Sequence, residues 1–221
     1  MLSPITIKPI SGAVGAVLSG VDLGTDLSDE EIATIRQALL DHGVIFFHDQ
    51  DFDANQHKRL ARRFGNIFNR PFLISEDPDI VTIVRNPGDK RIVGEDWHSD
   101  TTMMPEPPMG AILIALNVPD YGGDTLFASQ YLAYETLSDG MKDMLSNMKA
   151  LHSDRAVAGP GARDRDAERS TKSRTGSDWV ETLSAHPVVR THPETGRKCL
   201  FVNHSYTIGF EGWTEEESKP L

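Results

Sequence analysis

His98 and Asp100 stand two residues apart in Gly94-Glu95-Asp96-Trp97-His98-Ser99-Asp100-Thr101. On an extended segment, residues at this spacing point to one face. An imidazole nitrogen and a carboxylate oxygen can then meet the same metal ion. They would be two members of a 2-His-1-carboxylate facial triad, which suits non-haem Fe(II) because it leaves positions open for oxygen and a co-substrate. Chance supplies such a spacing often, so the surroundings must carry the reading. Trp97 and the prolines 105, 107 and 108 place the pair where a strand meets irregular chain, a usual location for sites. Gly122-Gly123-Asp124 turns the chain and delivers the Thr125 hydroxyl to the start of a strand. The third ligand must come from elsewhere.

The elements that would position these groups can be read in outline. Residues 5 to 23 form short strands broken by Gly12, Gly15 and Gly20. Ser28-Asp29-Glu30-Glu31 is a capping box, with Ile32, Ile35 and Leu39 at helical spacing and Gly43 at the end. Val44 to Phe47 is a buried strand. Asp53 with Gln56 opens a second helix through Leu60 and Phe64, closed by Gly65. Ile80–Val84, Ala111–Ala115 and Thr125–Phe127 are expected as strands. Ser138 starts a helix whose Met141, Met144, Leu145 and Met148 read as core packing. Residues 153 to 178 hold few apolar side chains and are expected to be a mobile loop or lid. Strands resume at His186–Val189 and Leu200–Val202. The pattern is that of a β-sandwich or jelly roll able to host a metal. A final capping box, Thr214 to Glu217, predicts a helix from Glu215, only about two turns before Leu221. A start signal with so little helix after it leads us to expect that the natural sequence continues.

The 221 residues form one domain with ordinary hydrophobic content, 38%. The net charge of -11 argues against nucleic acid or an anionic membrane as partner, since both need a basic footprint. It leaves room for an anionic small molecule held by one or two local cations. The one cysteine, Cys199, excludes an intrachain disulfide and fits a reducing cytoplasm. No signal peptide is evident in Met1 to Ile5, and with no run of 18 apolar residues no transmembrane helix is expected.

Taken in order, the motifs resemble the taurine dioxygenase / 2,4-dichlorophenoxyacetate dioxygenase family of Fe(II)- and 2-oxoglutarate-dependent oxygenases. The matching segments are Trp97-His98-Ser99-Asp100, Pro107-Pro108 with Gly110 to Leu113, and Gly122-Gly123-Asp124-Thr125. Tyr134 to Ser138, His186 to Pro193, Gly196-Arg197-Lys198 and Leu200 to Asn203 complete the set. The resemblance runs from about Ile5 to Leu221. It implies a mostly β protein with flanking helices (α+β), a double-stranded β-helix or cupin-like jelly roll. It implies that His98 and Asp100 ligate iron and that Thr125 helps to hold the 2-oxoglutarate co-substrate. Decarboxylation to succinate and CO2, with O2, would then accompany hydroxylation of a small organic acid such as a sulfonate or an aryloxyalkanoate. A homo-oligomer is also implied.

One departure is as informative as the match. The family's second iron-binding His, and the Arg that pairs with the far carboxylate of 2-oxoglutarate, lie in its last strands. They are expected after Leu221, which would leave this jelly roll without its C-terminal strands. His204 is the best internal substitute, but it falls where the family places no ligand. His186 and His192 read as turn or hydrogen-bonding residues, and His42, His48, His57 and His152 as surface or helix-end ones. Arg70 and Phe72 align with a substrate-contacting loop. Arg70 is either an anion contact or a solvated surface residue. Tyr206 is either a pocket aromatic or packing. Arg155 is a further candidate anion contact. Against the dioxygenase stands a binding or scaffold protein that kept the fold and lost the C-terminal ligand. A metallo-hydrolase or isomerase would need a closed set of His ligands that these residues do not supply.

Overall fold

The computed structural model describes residues 4–69, 75–160, 167–171 and 179–221. The first sheet joins β1 (Thr6–Pro9), β2 (Ala16–Ser19) and β3 (Ile45–Phe47) in that order. Strand β2 is antiparallel to β1, with Thr6 opposite Ser19, and parallel to β3, with Ala16 opposite Ile45. A parallel pair needs a crossover, and α1 (Asp29–His42) supplies it. Its capping box forms as the sequence predicts: Ser28 accepts from the Glu31 N–H and the Glu31 carboxylate accepts from the Ser28 N–H. Gly43 ends the helix at φ +73°. Helix α2 (Ala54–Phe64) starts on the Asp53–Gln56 box. Ile32, Ile35 and Ala38 of α1 and Leu60 of α2 bury against Ala16 and Leu18 of β2.

Helices α3 (Gln130–Glu135) and α4 (Asp139–Leu145) lead into the second sheet. Strand β4 (Lys149–Ser153) runs into a single turn, α5 (Arg155–Ala158). Strands β5 (Leu183–Pro187), β6 (Val189–Thr191), β7 (Lys198–Leu200) and β8 (Thr207–Phe210) follow, and α6 (Glu215–Ser218) begins on the Thr214–Glu217 box. The sheet order is β5-β4-β8, both pairings antiparallel, with Ala150 opposite His186 and Phe210. A register shift between Leu151 and His152 marks a bulge, a device that re-aims side chains. Strands β6 and β7 form a separate hairpin, and α3 packs on β7, with an Arg197–Glu135 ion pair at 2.6 Å just before the strand. A second core of Leu145, Ala150, Val188 and Phe210 takes in Met141 and Met148. Met144 is exposed, so the methionine stripe is core only in part.

Three expected strands are not formed. Ile80–Val84, Ala111–Ala115 and Thr125–Phe127 are irregular chain with no ladder partner among the described residues beyond an isolated Asp77–Ile80 bridge. A strand exists only where a neighbour takes its N–H and C=O groups. Sheets and helices are therefore mixed, and the balance is less β-rich than the sequence predicts. This stretch is tied to the first sheet and to α2 at separate points. Phe127 meets Phe46 edge-to-face at 5.9 Å between centroids, and His57 Nε2 lies 3.1 Å from the Ile112 carbonyl.

Of the expected lid, 161–166 and 172–178 lie outside the described residues. The rest is anchored. Ser153 closes β4, Ala158 is buried, and the Thr171 hydroxyl accepts from the Val84 N–H and donates to its carbonyl. None of the described helices is long and apolar enough to cross a membrane.

Candidate functional site

His98 and Asp100 do meet, but through a turn rather than by alternation along a strand. His98 Nε2 lies 3.4 Å from Asp100 Oδ1. The other ring nitrogen, Nδ1, sits 2.7 Å from the Asp96 carbonyl. A carbonyl oxygen only accepts, so Nδ1 carries the proton in the neutral ring. Nε2 then presents a lone pair toward a carboxylate oxygen. Two electron-rich atoms placed this way are stabilised by a cation between them, either a proton or a metal ion. An imidazole whose second nitrogen donates to a backbone carbonyl is the usual setting of a metal-ligating histidine.

The distance fits the second possibility. Ligands on neighbouring vertices of an octahedron, about 2.1 Å from the ion, lie about 3 Å apart. An Fe(II) ion is thus compatible with these two donors. Among the described residues no cluster of three His, Cys, Asp or Glu side chains is in place to hold a metal.

Gly94 shapes the near side of the turn. Its φ is +78°, and a Cβ there would lie 3.0 Å from His98 Cε1. Thr101 to Met103, directly after Asp100, plunge into the interior. There the Thr102 hydroxyl meets His152 Nδ1 at 2.8 Å and accepts from Asn203 Nδ2 at 3.1 Å. His186 Nε2 approaches the Met104 carbonyl at 2.9 Å. The rings of His152, His186 and Phe201 lie within 5.3–5.4 Å of each other, and the Arg190 guanidinium covers Phe201 at 4.3 Å. Burial pushes the His152 imidazole down to about 4, helped by His186 and Arg190 and opposed by the Phe201 backbone.

His152 is therefore wholly interior, which corrects its reading as a surface or helix-end residue. His186 takes the hydrogen-bonding role expected of it. His192 serves a turn, its Nδ1 accepting from the N–H groups of Glu194 and Thr195. His204 is exposed in a turn. Thr125 is exposed in unpaired chain, and Tyr206 is buried beside β4, where its carbonyl accepts from the Ser153 N–H. Arg70 and Phe72 lie outside the described residues. The Arg155 guanidinium is engaged by Glu181 at 3.0 Å, which weakens its candidacy as an anion contact. Sequence reading missed Gly94, Thr102 and Asn203. A glycine four residues before the histidine was the one local signal.

The family model described as taurine catabolism dioxygenase TauD, TfdA family matches residues 6–221. The chain belongs to that family. It is 30% identical over 210 residues to an alkylsulfatase of Acinetobacter baylyi, covering 93% of this chain and 66% of that protein. It is 32% identical over 211 residues to the (S)-phenoxypropionate/alpha-ketoglutarate-dioxygenase of Sphingobium herbicidovorans, covering 91% and 72%. The crystal structure of a taurine dioxygenase from Burkholderia xenovorans is similar with a TM-score of 0.77 and 31% identity, over 98% of this chain and 69% of that one. The TauD, TfdA chain described here thus spans 66% of the alkylsulfatase's length and 72% of the phenoxypropionate enzyme's. Its fold is that of these jelly-roll neighbours.

Proposed function

We propose that the protein is an Fe(II)- and 2-oxoglutarate-dependent dioxygenase that hydroxylates a small anionic organic substrate, a sulfonate, an aryloxyalkanoate or a similar acid. The observation that carries this reading is the convergence of His98 Nε2 and Asp100 Oδ1 at 3.4 Å, with Nδ1 committed to the Asp96 carbonyl. Support comes from relatives named for alpha-ketoglutarate-dependent oxidation of phenoxypropionate and of sulfate esters.

In this reading His98 and Asp100 hold the metal. When bound, iron with 2-oxoglutarate and O2 supplies the oxidising power for hydroxylation, releasing succinate and CO2. The Asp96 carbonyl keeps the His98 proton on Nδ1, so that Nε2 stays a ligand. The Asp100 carboxylate offsets one unit of the cation's charge. Thr125 offers its hydroxyl to a co-substrate carboxylate. Arg70 pairs with the substrate anion while Phe72 and Tyr206 contact its apolar part. The buried run Thr101–Met103 excludes water from beneath the pair. A second histidine ligand and an arginine for the far carboxylate complete the site that the resemblance implies.

A panel of sulfonates, sulfate esters and aryloxyalkanoates, scored by succinate release, tests the reading. Release that requires Fe(II), 2-oxoglutarate and one class of substrate is expected. No release with any substrate, alongside no binding of 2-oxoglutarate, would contradict it and favour a binding protein.

A further inference from the structure

The turn that carries the ligand pair is fastened from below. Thr101 has φ +52°, a left-handed conformation that a β-branched residue rarely adopts. Its hydroxyl is buried with no hydrogen-bond partner among the described residues. A backbone in such a state persists only where its surroundings over-determine it. The next residue supplies that constraint. The Thr102 hydroxyl sits between His152 Nδ1 at 2.8 Å and Asn203 Nδ2 at 3.1 Å. Both partners are themselves fixed. Asn203 Oδ1 accepts from the Tyr206 N–H at 3.0 Å, and the His152 ring packs against those of His186 and Phe201. His152 stands at the β4 bulge and Asn203 follows β7, so one threonine ties the turn to two segments distant from it in sequence.

We propose that Thr102 is a positioning residue, whose hydroxyl, shared between His152 and Asn203, holds Asp100 beside His98 and so sets the affinity for a divalent cation. This rests on the iron-site reading. Thr102 touches neither cation nor substrate and acts through Asp100. Without its two bonds Thr101 is free to relax toward ordinary backbone angles. That rotation carries the Asp100 carboxylate away from His98 Nε2.

The test is the dissociation constant for Co(II), measured with 2-oxoglutarate present at a temperature where each variant is folded by circular dichroism. His98→Ala sets the baseline for a lost ligand. Thr102→Val is expected to weaken binding about 10- to 100-fold, as the loss of partners that orient metal ligands typically does. Thr102→Ser keeps the hydroxyl and is expected to return the affinity toward wild type, a rescue that a loss of packing alone would not give. Asn203→Asp keeps the acceptor for Tyr206, removes the donor to Thr102, and is expected to weaken binding as well. Wild-type affinity in Thr102→Val, with binding lost in His98→Ala, would overturn the proposal and leave the iron site standing. Unfolding of both Thr102→Val and Asn203→Asp would make the bonds purely structural and also overturn it. Equal binding by wild type and His98→Ala would overturn the iron-site reading itself.

Discussion

The first sheet and the stretch from residue 80 to 128 are written in similar apolar residues and end in opposite states. In the first sheet, each short strand has a neighbour, and Ala16 and Leu18 are almost wholly buried against Ile35 of α1. In the middle stretch, Leu113 is 78% exposed, Leu116 84% and Tyr121 90%. Apolar residues alone do not make a strand; a partner for the backbone does. The site belongs to the middle stretch, yet its order has another source. Thr101 to Met103 are buried, Thr102 bonds to His152 and Asn203, and in the proposed account that plug holds the turn of His98 and Asp100 without a sheet around it.

The contrast can be broken or sharpened by substitution. Ile35→Ala should destabilise the protein by about 2–5 kcal/mol in urea unfolding. Its Co(II) affinity should stay unchanged under folding conditions, since this core does not touch the site. Acid should act on the floor of the site instead. His152 has an ordinary value of 6.5 when unfolded and about 4 in the fold. As pH falls below 6.5 the unfolded chain takes a proton that the folded chain refuses, so stability is lost until about pH 4. The contribution of this one group is on the order of 3 kcal/mol, and it should vanish from the pH dependence of unfolding in His152→Gln. Gly94→Ala forces a left-handed angle on a side chain, costing about 1–2 kcal/mol, and presses on the His98 ring. Metal affinity should fall with it. Leu116→Ser should change stability by less than about 0.5 kcal/mol. A loss above about 1 kcal/mol there would mean that the middle stretch is packed, and the contrast would fail.

What was legible in the chain follows the same divide. Helices α1, α2, α4 and α6 each announce themselves by a capping serine, threonine or aspartate, a signal contained within a few residues. Helix α3 went unread although Ser129 caps it, because its six residues leave little room for an apolar period; strands β4 and β8 went unread because partners distant in sequence hold them. Ala150 of β4 faces His186 and Phe210, and the six residues of α3 lean on β7. The three strands expected in the middle stretch failed for the converse reason: their pattern was local and their pairing was not. At the site, the types and spacing of His98 and Asp100 suggested the chemistry proposed for them, while the turn that joins them was read as a strand. His152 and Asn203 carry no local mark of their role. Only folding brings them to Thr102.

The most direct test of the central claim is Mn(II) binding followed by electron paramagnetic resonance, with 2-oxoglutarate present, in wild type and in Asp100→Ala. Saturable binding of one ion per chain in the wild type, lost in Asp100→Ala while the fold is retained, is the expected result. Equal binding by the two proteins would place the metal elsewhere and contradict the assignment of His98 and Asp100.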